Sequence, residues 1–221
     1  CPDGSMTLKE GHTHSYLNTL RGLLLYGELT GQHEYIDRVA KTYGIAVRGM
    51  IEKSGFIPHD IRGNMGETSS PGDVAQLALW LGIRHGYGEF LDDVERIVRA
   101  RIIPSQVTEC PPLTPRNTDK DYTGAMLAPY EGVVNDEILL DSYRDLEKRA
   151  IGAYGGMHRV PHAWKIATTD STAAVVHSLL DIYNHIAVRS VAGIKVHFHF
   201  DYEDENIQIS SVRKQTAIVT I

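Results

Sequence analysis

One stretch of this chain repeats itself, and the repeat limits what the chain can fold into. Gly27…Gly31-x-x-Glu34-Tyr35-Ile36-Asp37-x-Val39 recurs as Gly82…Gly86-x-x-Glu89-Phe90-Leu91-Asp92-x-Val94, without a gap. The period is 55 residues, the distance from Gly27 to Gly82. Each copy reads as a helix, a glycine-bounded turn and a return helix. A single helical hairpin cannot bury its apolar face, so tandem copies stack into a solenoid or close into a toroid. The period fits a toroid with one loop per unit better than the shorter solenoid repeats.

The apolar spacing around the repeat predicts the individual helices. Leu17, Leu20, Leu24 and Tyr26 place one from His14 to Thr30, with Gly31 just beyond it. Tyr35, Ile36, Val39, Tyr43, Val47 and Met50 make the return helix, ending near Ser54-Gly55. A loop from Phe56 to Gly66 carries Pro58, His59, Asp60, Arg62 and Asn64. Ser70 reads as an N-cap, Pro71 as the first helical residue and Asp73 as a complement to the helix dipole. The apolar face of that helix, Val74, Leu77, Ala78 and Leu81, carries it to about His85. Phe90 to Val98 predicts a fourth helix, stopped by Pro104.

Beyond Pro104 the pattern breaks. Pro111, Pro112, Pro115 and Pro129 mark a long loop from Glu109 to Tyr130. Leu139 to Tyr154 reads as helix, Gly155 to Thr169 as loop, and Thr172 to Ile186 as the last helix. After Ala187 the apolar period changes to two. Val191, Ile194, Val196, Phe198 and Phe200 read as a strand with His197 and His199 on its solvent face. An acidic turn from Asp201 to Asn206 and strands over Ile207–Val212 and Ala217–Ile221 follow. The expected fold is mainly α. A helical-hairpin domain over residues 1–187 forms part of an (α/α)6 toroid, and residues 188–221 start a β-sandwich domain.

Charge and composition exclude several function classes. A net charge of −6 leaves no basic footprint for nucleic acid. No apolar run approaches the roughly 20 residues of a membrane helix. The two cysteines, Cys1 and Cys110, make neither a disulfide framework nor a C-x-x-C metal motif. A start at Cys1 with no visible signal peptide reads as a piece of a longer protein, and leaves the compartment open.

Three segments carry a family resemblance. Gly11-His12-Thr13-His14 runs into Tyr26-Gly27-Glu28-Leu29-Thr30-Gly31, Glu67-Thr68-Ser69-Ser70 opens a helix, and Asp170-Ser171 opens the last one. Together they resemble the six-hairpin (α/α) glycosidase superfamily, and within it the bacterial β-L-arabinofuranosidase family. The first segment is similar to that family's His-Ala-Asn-Thr and Tyr-Glu-Leu-Thr-Gly, the second to its Glu-Thr-Cys-Ala, the third to its Cys-Cys pair. The resemblance implies glycoside hydrolysis on polysaccharide side chains, a carbohydrate substrate, and further hairpins N-terminal to this piece. It also implies a zinc held by one Glu and three Cys. Here the matching positions are Glu67, Ser69, Asp170 and Ser171. Neutral serines are poor zinc ligands and poor nucleophiles without a base. No zinc-thiolate site and no other cofactor is therefore expected, and the chemistry falls to carboxylates.

Glycoside hydrolysis needs two carboxylates across the scissile bond. Glu67 and Asp170, each at a predicted helix start, are the expected catalytic pair. His12, His14, Asp60 and Trp164 are the expected substrate contacts: imidazoles and a carboxylate for hydroxyls, an indole to stack on a sugar ring. His12-Thr13-His14 also has His-x-His spacing, which brings two rings together only in extended backbone. Two other readings stay open on sequence. One is a polysaccharide lyase or unsaturated uronyl hydrolase on the same toroid, with His or Tyr as base. The other is a non-catalytic module that binds sugar or protein.

Overall fold

The structure is a computed structural model, and it describes residues 3–6, 10–61, 63, 66–108, 146–149, 151–154, 169–213 and 217–220. Helix covers more than half of them, beside two small antiparallel sheets. The chain divides into two compact units, Cys1–Ser105 with Tyr154–Ile221, and Gln106–Ala153. In the second unit a short helix, Leu146–Arg149, leads to a backbone pairing in which Val107 N–H donates to Ala153 O at 2.8 Å.

The repeat is visible as two successive helical hairpins. In the first, α1 (Thr13–Thr30) turns at Gly31 (φ 68°) into α2 (His33–Thr42). A π-helical turn, Tyr43–Val47, then leads into α3 (Arg48–Met50). In the second, α4 (Ser69–Arg84) turns at Gly86 (φ 83°) and Gly88–Phe90 into α5 (Leu91–Ile97). Another π-helical turn, Val98–Ile102, follows one period after the first. The turns match in detail: Tyr35 N–H donates to Gln32 O at 3.1 Å, and Phe90 N–H to Tyr87 O at 3.0 Å. So do the close approaches. A Cβ on Gly27 would lie 3.0 Å from Ile36 Cγ1, and one on Gly82 2.6 Å from Leu91 Cδ2. Each glycine lets the return helix lie directly against the outgoing one.

The core is centred on α4, which is buried along its whole length from Ser69 to Gly82. α1 and α5 pack against it, and so does α7 (Thr169–Tyr183); the short Leu146–Arg149 helix is α6. A helix buried on every side lies in the middle of its unit, and its polar side chains Asp73 and Gln76 are paired there. Val74, Leu77 and Leu81 are fully buried, each worth about 1.5–3 kcal/mol of transfer free energy. The three helices α1, α4 and α7 run the same way. His14 meets Asp73 near the start of α1, and Glu28 meets Arg84 and His85 near its end. Along α7, Ser178 meets Gly72, and Asp181 meets Gln76 and Trp80. Their N-terminal ends therefore lie together.

Several boundaries differ from the sequence reading. Helix α4 begins at Ser69, so Ser70 lies inside its first turn, where its Oγ is buried and has no hydrogen-bond partner among the described residues. The preceding residue, Thr68, makes no side-chain cap either. Pro104 does not end the fourth helix cleanly; it sits in a final 3₁₀ turn, Ile103–Ser105, where its missing N–H costs little. The expected strand from Val191 to Phe200 is also revised. β1 (Ala187–Ser190) and β2 (Gly193–Val196) form a hairpin in which Ser190 pairs with Gly193, and Val191-Ala192 is the turn. His197 lies past the strand's end, half-buried, with Nδ1 2.9 Å from His185 O, so only His199 keeps the expected exposure. Phe198 and Phe200 join the helical core. The acidic turn holds a two-residue strand, β3 (Tyr202–Glu203), paired with β4 (Gln208–Arg213), which pairs with β5 (Ala217–Thr220). The loop expected over Glu109–Tyr130 and residues 155–168 lie outside the described residues, as do residues 139–145 of the expected helix.

Candidate functional site

A backbone clamp builds the site before any side chain does. His12 and Asp60 form an isolated antiparallel bridge. Thr13 N–H donates to His59 O at 2.8 Å and Ile61 N–H to Gly11 O at 2.9 Å. The clamp fixes the chain entering α1 against the loop that precedes α4. His12 is extended there (φ −76°, ψ 118°) and does not cap α1, so its ring is free to reach forward. Gly66 closes the other side. A Cβ on it would fall 2.6 Å from Ile57 O, so only glycine lets the chain pass and deliver Glu67 to the start of α4.

Glu67 is the centre of the cluster and only 7% exposed. Ser69 Oγ donates to its Oε1 at 2.6 Å. His12 Nε2 lies 3.3 Å from the same oxygen, and His59 Nδ1 lies 3.4 Å from it. The two imidazole rings are tilted against each other with centroids 4.3 Å apart. Each ring also has a polar neighbour on its far side. His12 Nδ1 is 3.2 Å from Ser15 Oγ, and His59 Nε2 is 3.9 Å from the exposed carboxylate of Asp60.

Behind this cluster sits a second carboxylate, Asp73, which is wholly buried. Arg21 Nη1 donates to its Oδ1 at 2.7 Å, and His14 Nδ1 pairs with its Oδ2. Arg21 and Arg84 lie over the Trp80 ring, and Trp80 Nε1 donates to Asp181 at 2.6 Å. This network ties α1, α4 and α7 together and holds the clamp residues in place.

The structure brings together His12, Asp60 and Glu67 among the expected site residues. His14 stands nearby, with its ring 5.8 Å from that of His12, and it serves Asp73. Asp170 falls in the first turn of α7, at the same end of the helices as Glu67, with its side chain outside the described residues. Trp164 also lies outside them. The sequence reading named His59 only as a loop residue, yet it is the third member of the cluster. No local spacing marks it, because a long-range backbone bridge puts it there. The glutamate–thiolate set that the family resemblance implies does not fit: the oxygen at position 69 is a neutral hydroxyl, spent as a donor to Glu67. Comparison of the chain with protein families, with curated proteins and with solved structures finds no match.

Proposed function

We propose that this chain is part of a carbohydrate-active hydrolase, β-L-arabinofuranosidase-like in kind, working through carboxylates. One observation carries the reading. Glu67 is a buried carboxylate at a helix start, ringed by His12 and His59, at the end where three parallel helices begin. Same-sense inner helices with return helices packed outside are the arrangement of an (α/α) toroid, which gathers its loops at one end. Apolar side chains left open on α1 and α7, among them Leu29 at 87% and Leu180 at 58% exposed, are what a neighbouring hairpin would cover in such a ring. The strands after Ala187 then begin a β-sandwich domain. In this reading Glu67 meets the sugar as acid, base or hydroxyl-binding group. Asp170 or Asp60 supplies the second carboxylate, and His12 holds a hydroxyl.

The test is Glu67→Gln in the full-length protein, assayed on a panel of aryl glycosides that includes β-L-arabinofuranosides. The change keeps shape and removes charge. Losing general acid–base help costs about 10²–10⁴-fold in rate, with folding retained by circular dichroism. Wild-type turnover by the variant on a good substrate sinks the assignment. The two imidazoles in contact favour a second reading, a uronate lyase or unsaturated uronyl hydrolase with His12 or His59 as base. Activity on unsaturated uronides, with none on neutral aryl glycosides, would select it.

A further inference from the structure

The three side chains around Glu67 Oε1 pose a question of charge. His12, His59 and Glu67 can each offer one ligand atom, and these atoms lie within 4.8 Å of one another. Ser69 supplies one proton to this group, through its hydroxyl. Ser15 Oγ stands at the far nitrogen of His12 and the Asp60 carboxylate near the far nitrogen of His59. With the proton on the outer nitrogen of each ring, the inner nitrogen is bare and turned toward Glu67, the tautomer a metal ligand uses. His59 Nδ1 is buried, and its approach to Glu67 is not aligned as a hydrogen bond. His12 Nε2 is within hydrogen-bond reach of the carboxylate, whereas the buried His59 Nδ1 faces the same oxygen with no hydrogen-bond partner among the described residues.

We propose that His12, His59 and Glu67 bind a divalent transition-metal ion of the zinc class. The distances fit one. Two donors each about 2.0–2.1 Å from a tetrahedral centre stand about 3.3–3.4 Å apart. The two edges at Glu67 Oε1 measure 3.3 and 3.4 Å. The third edge, between the rings, lies within the 4.8 Å that spans the set, and binding requires the two rings to turn toward one centre. Two imidazoles and one carboxylate suit zinc, cobalt, nickel or ferrous iron, and do not suit magnesium or calcium, which take oxygen donors. Three protein donors leave a coordination position open for water or a sugar hydroxyl. The ligands carry no sulfur, so this site is distinct from a thiolate site. Binding displaces protons from the imidazoles, so affinity falls with acid.

This inference does not rest on the glycosidase reading, because its test uses no substrate. Protein stripped with a chelator is titrated with cobalt(II) alone, followed by visible absorption and by elemental analysis after desalting. The expected result is one equivalent bound, with the strong visible bands of a four- or five-coordinate ion and no sulfur charge-transfer band. His12→Gln and His59→Gln each weaken binding at least about tenfold. His33→Ala, which removes an exposed imidazole at the far end of the first hairpin, leaves it unchanged. Added zinc raises the urea midpoint of the wild type and not of His59→Gln, which keeps the test valid if that variant is less stable. No saturable uptake by folded wild type, a thiolate band, or wild-type affinity in His59→Gln would each overturn the proposal. Failure here leaves the glycosidase reading standing, and metal uptake without hydrolysis leaves this one.

Discussion

His12 and Glu67 hold the same place in two successive hairpins, one full period apart, and their side chains meet at 3.3 Å. Each precedes the outgoing helix of its own hairpin, α1 or α4. Because those two helices run parallel and side by side, the residues before them are brought into contact by the repeat itself. The site is therefore a seam between neighbouring copies of one unit. Different residue types at equivalent positions, an imidazole and a carboxylate, are what make the seam chemically useful.

The same register predicts how the hairpins respond to substitution at their closest approach. Gly82→Ala brings a methyl to 2.6 Å from Leu91 Cδ2, 2.8 Å from its Cγ and 3.3 Å from Tyr87 O. Gly27→Ala brings one to 3.0 Å from Ile36 Cγ1 and 3.2 Å from Gln32 O. In an open helix either change would stabilise by up to about 1 kcal/mol. Here overpacking of about 1–3 kcal/mol opposes that gain. The net expectation is a clear loss for Gly82→Ala and a smaller one for Gly27→Ala, read from urea midpoints. A rise in midpoint for Gly82→Ala would show that the helices are not in contact there.

Asp73 tests the network behind the site. It is completely buried and balanced by Arg21 and His14. Asp73→Ala leaves the Arg21 charge buried without its carboxylate and costs about 3–5 kcal/mol. Removing the Arg21 charge at the same time, in Arg21→Met with Asp73→Leu, costs much less, because desolvation is avoided on both sides. Chemical denaturation of the two variants decides it. Equal losses in the single and double changes would mean that the pair contributes nothing as a pair.

The hairpins were legible in the sequence because their signal is local: a glycine-bounded turn and an apolar spacing, each printed twice. His12 and Glu67 were legible through motif position, and the extended backbone at His12 follows from its place just before α1. His59 was not, because what selects it is a backbone bridge across nearly fifty residues. Asp73 was read as answering the helix dipole, whereas its partners lie on α1. The strand at Val191 was misjudged for a different reason. Alternation continues through Phe198 and Phe200, but those rings leave the hairpin for the helical core, so burial and strand pairing part company at His197.

That parting gives a pH prediction. Burial holds the His197 imidazole below its usual value of 6.5, joined by the charges of Lys195 and His185, against the opposing pull of the His185 carbonyl. The unfolded chain takes up this proton before the folded one does. His197 therefore favours the fold above about pH 6.5 and loses that contribution as pH falls toward its lowered folded value. The fall in urea midpoint between about pH 7.5 and about pH 5.5 is expected to be smaller in His197→Phe than in the wild type. A larger fall in the variant would reverse the sign of the argument.

Ser69 and Glu67 form the most specific pair in the site. The hydroxyl donates to Oε1 at 2.6 Å, and both groups are buried. Hydrogen bonds to a charged group are worth about 1.5–3 kcal/mol. Ser69→Ala removes the donor and leaves the carboxylate in place, so a loss in that range is expected. In a Glu67→Gln background the acceptor is neutral, and the same Ser69→Ala change costs only about 0.5–1.5 kcal/mol. The difference between the two losses is the coupling free energy of the pair, and couplings between touching residues run to about 0.5–3 kcal/mol. Four urea-unfolding curves measure it: wild type, each single change, and both together. If the two losses agree within about 0.3 kcal/mol, the hydroxyl does not hold the carboxylate, and other contacts position Glu67, among them His12, His59 and the turn at Gly66.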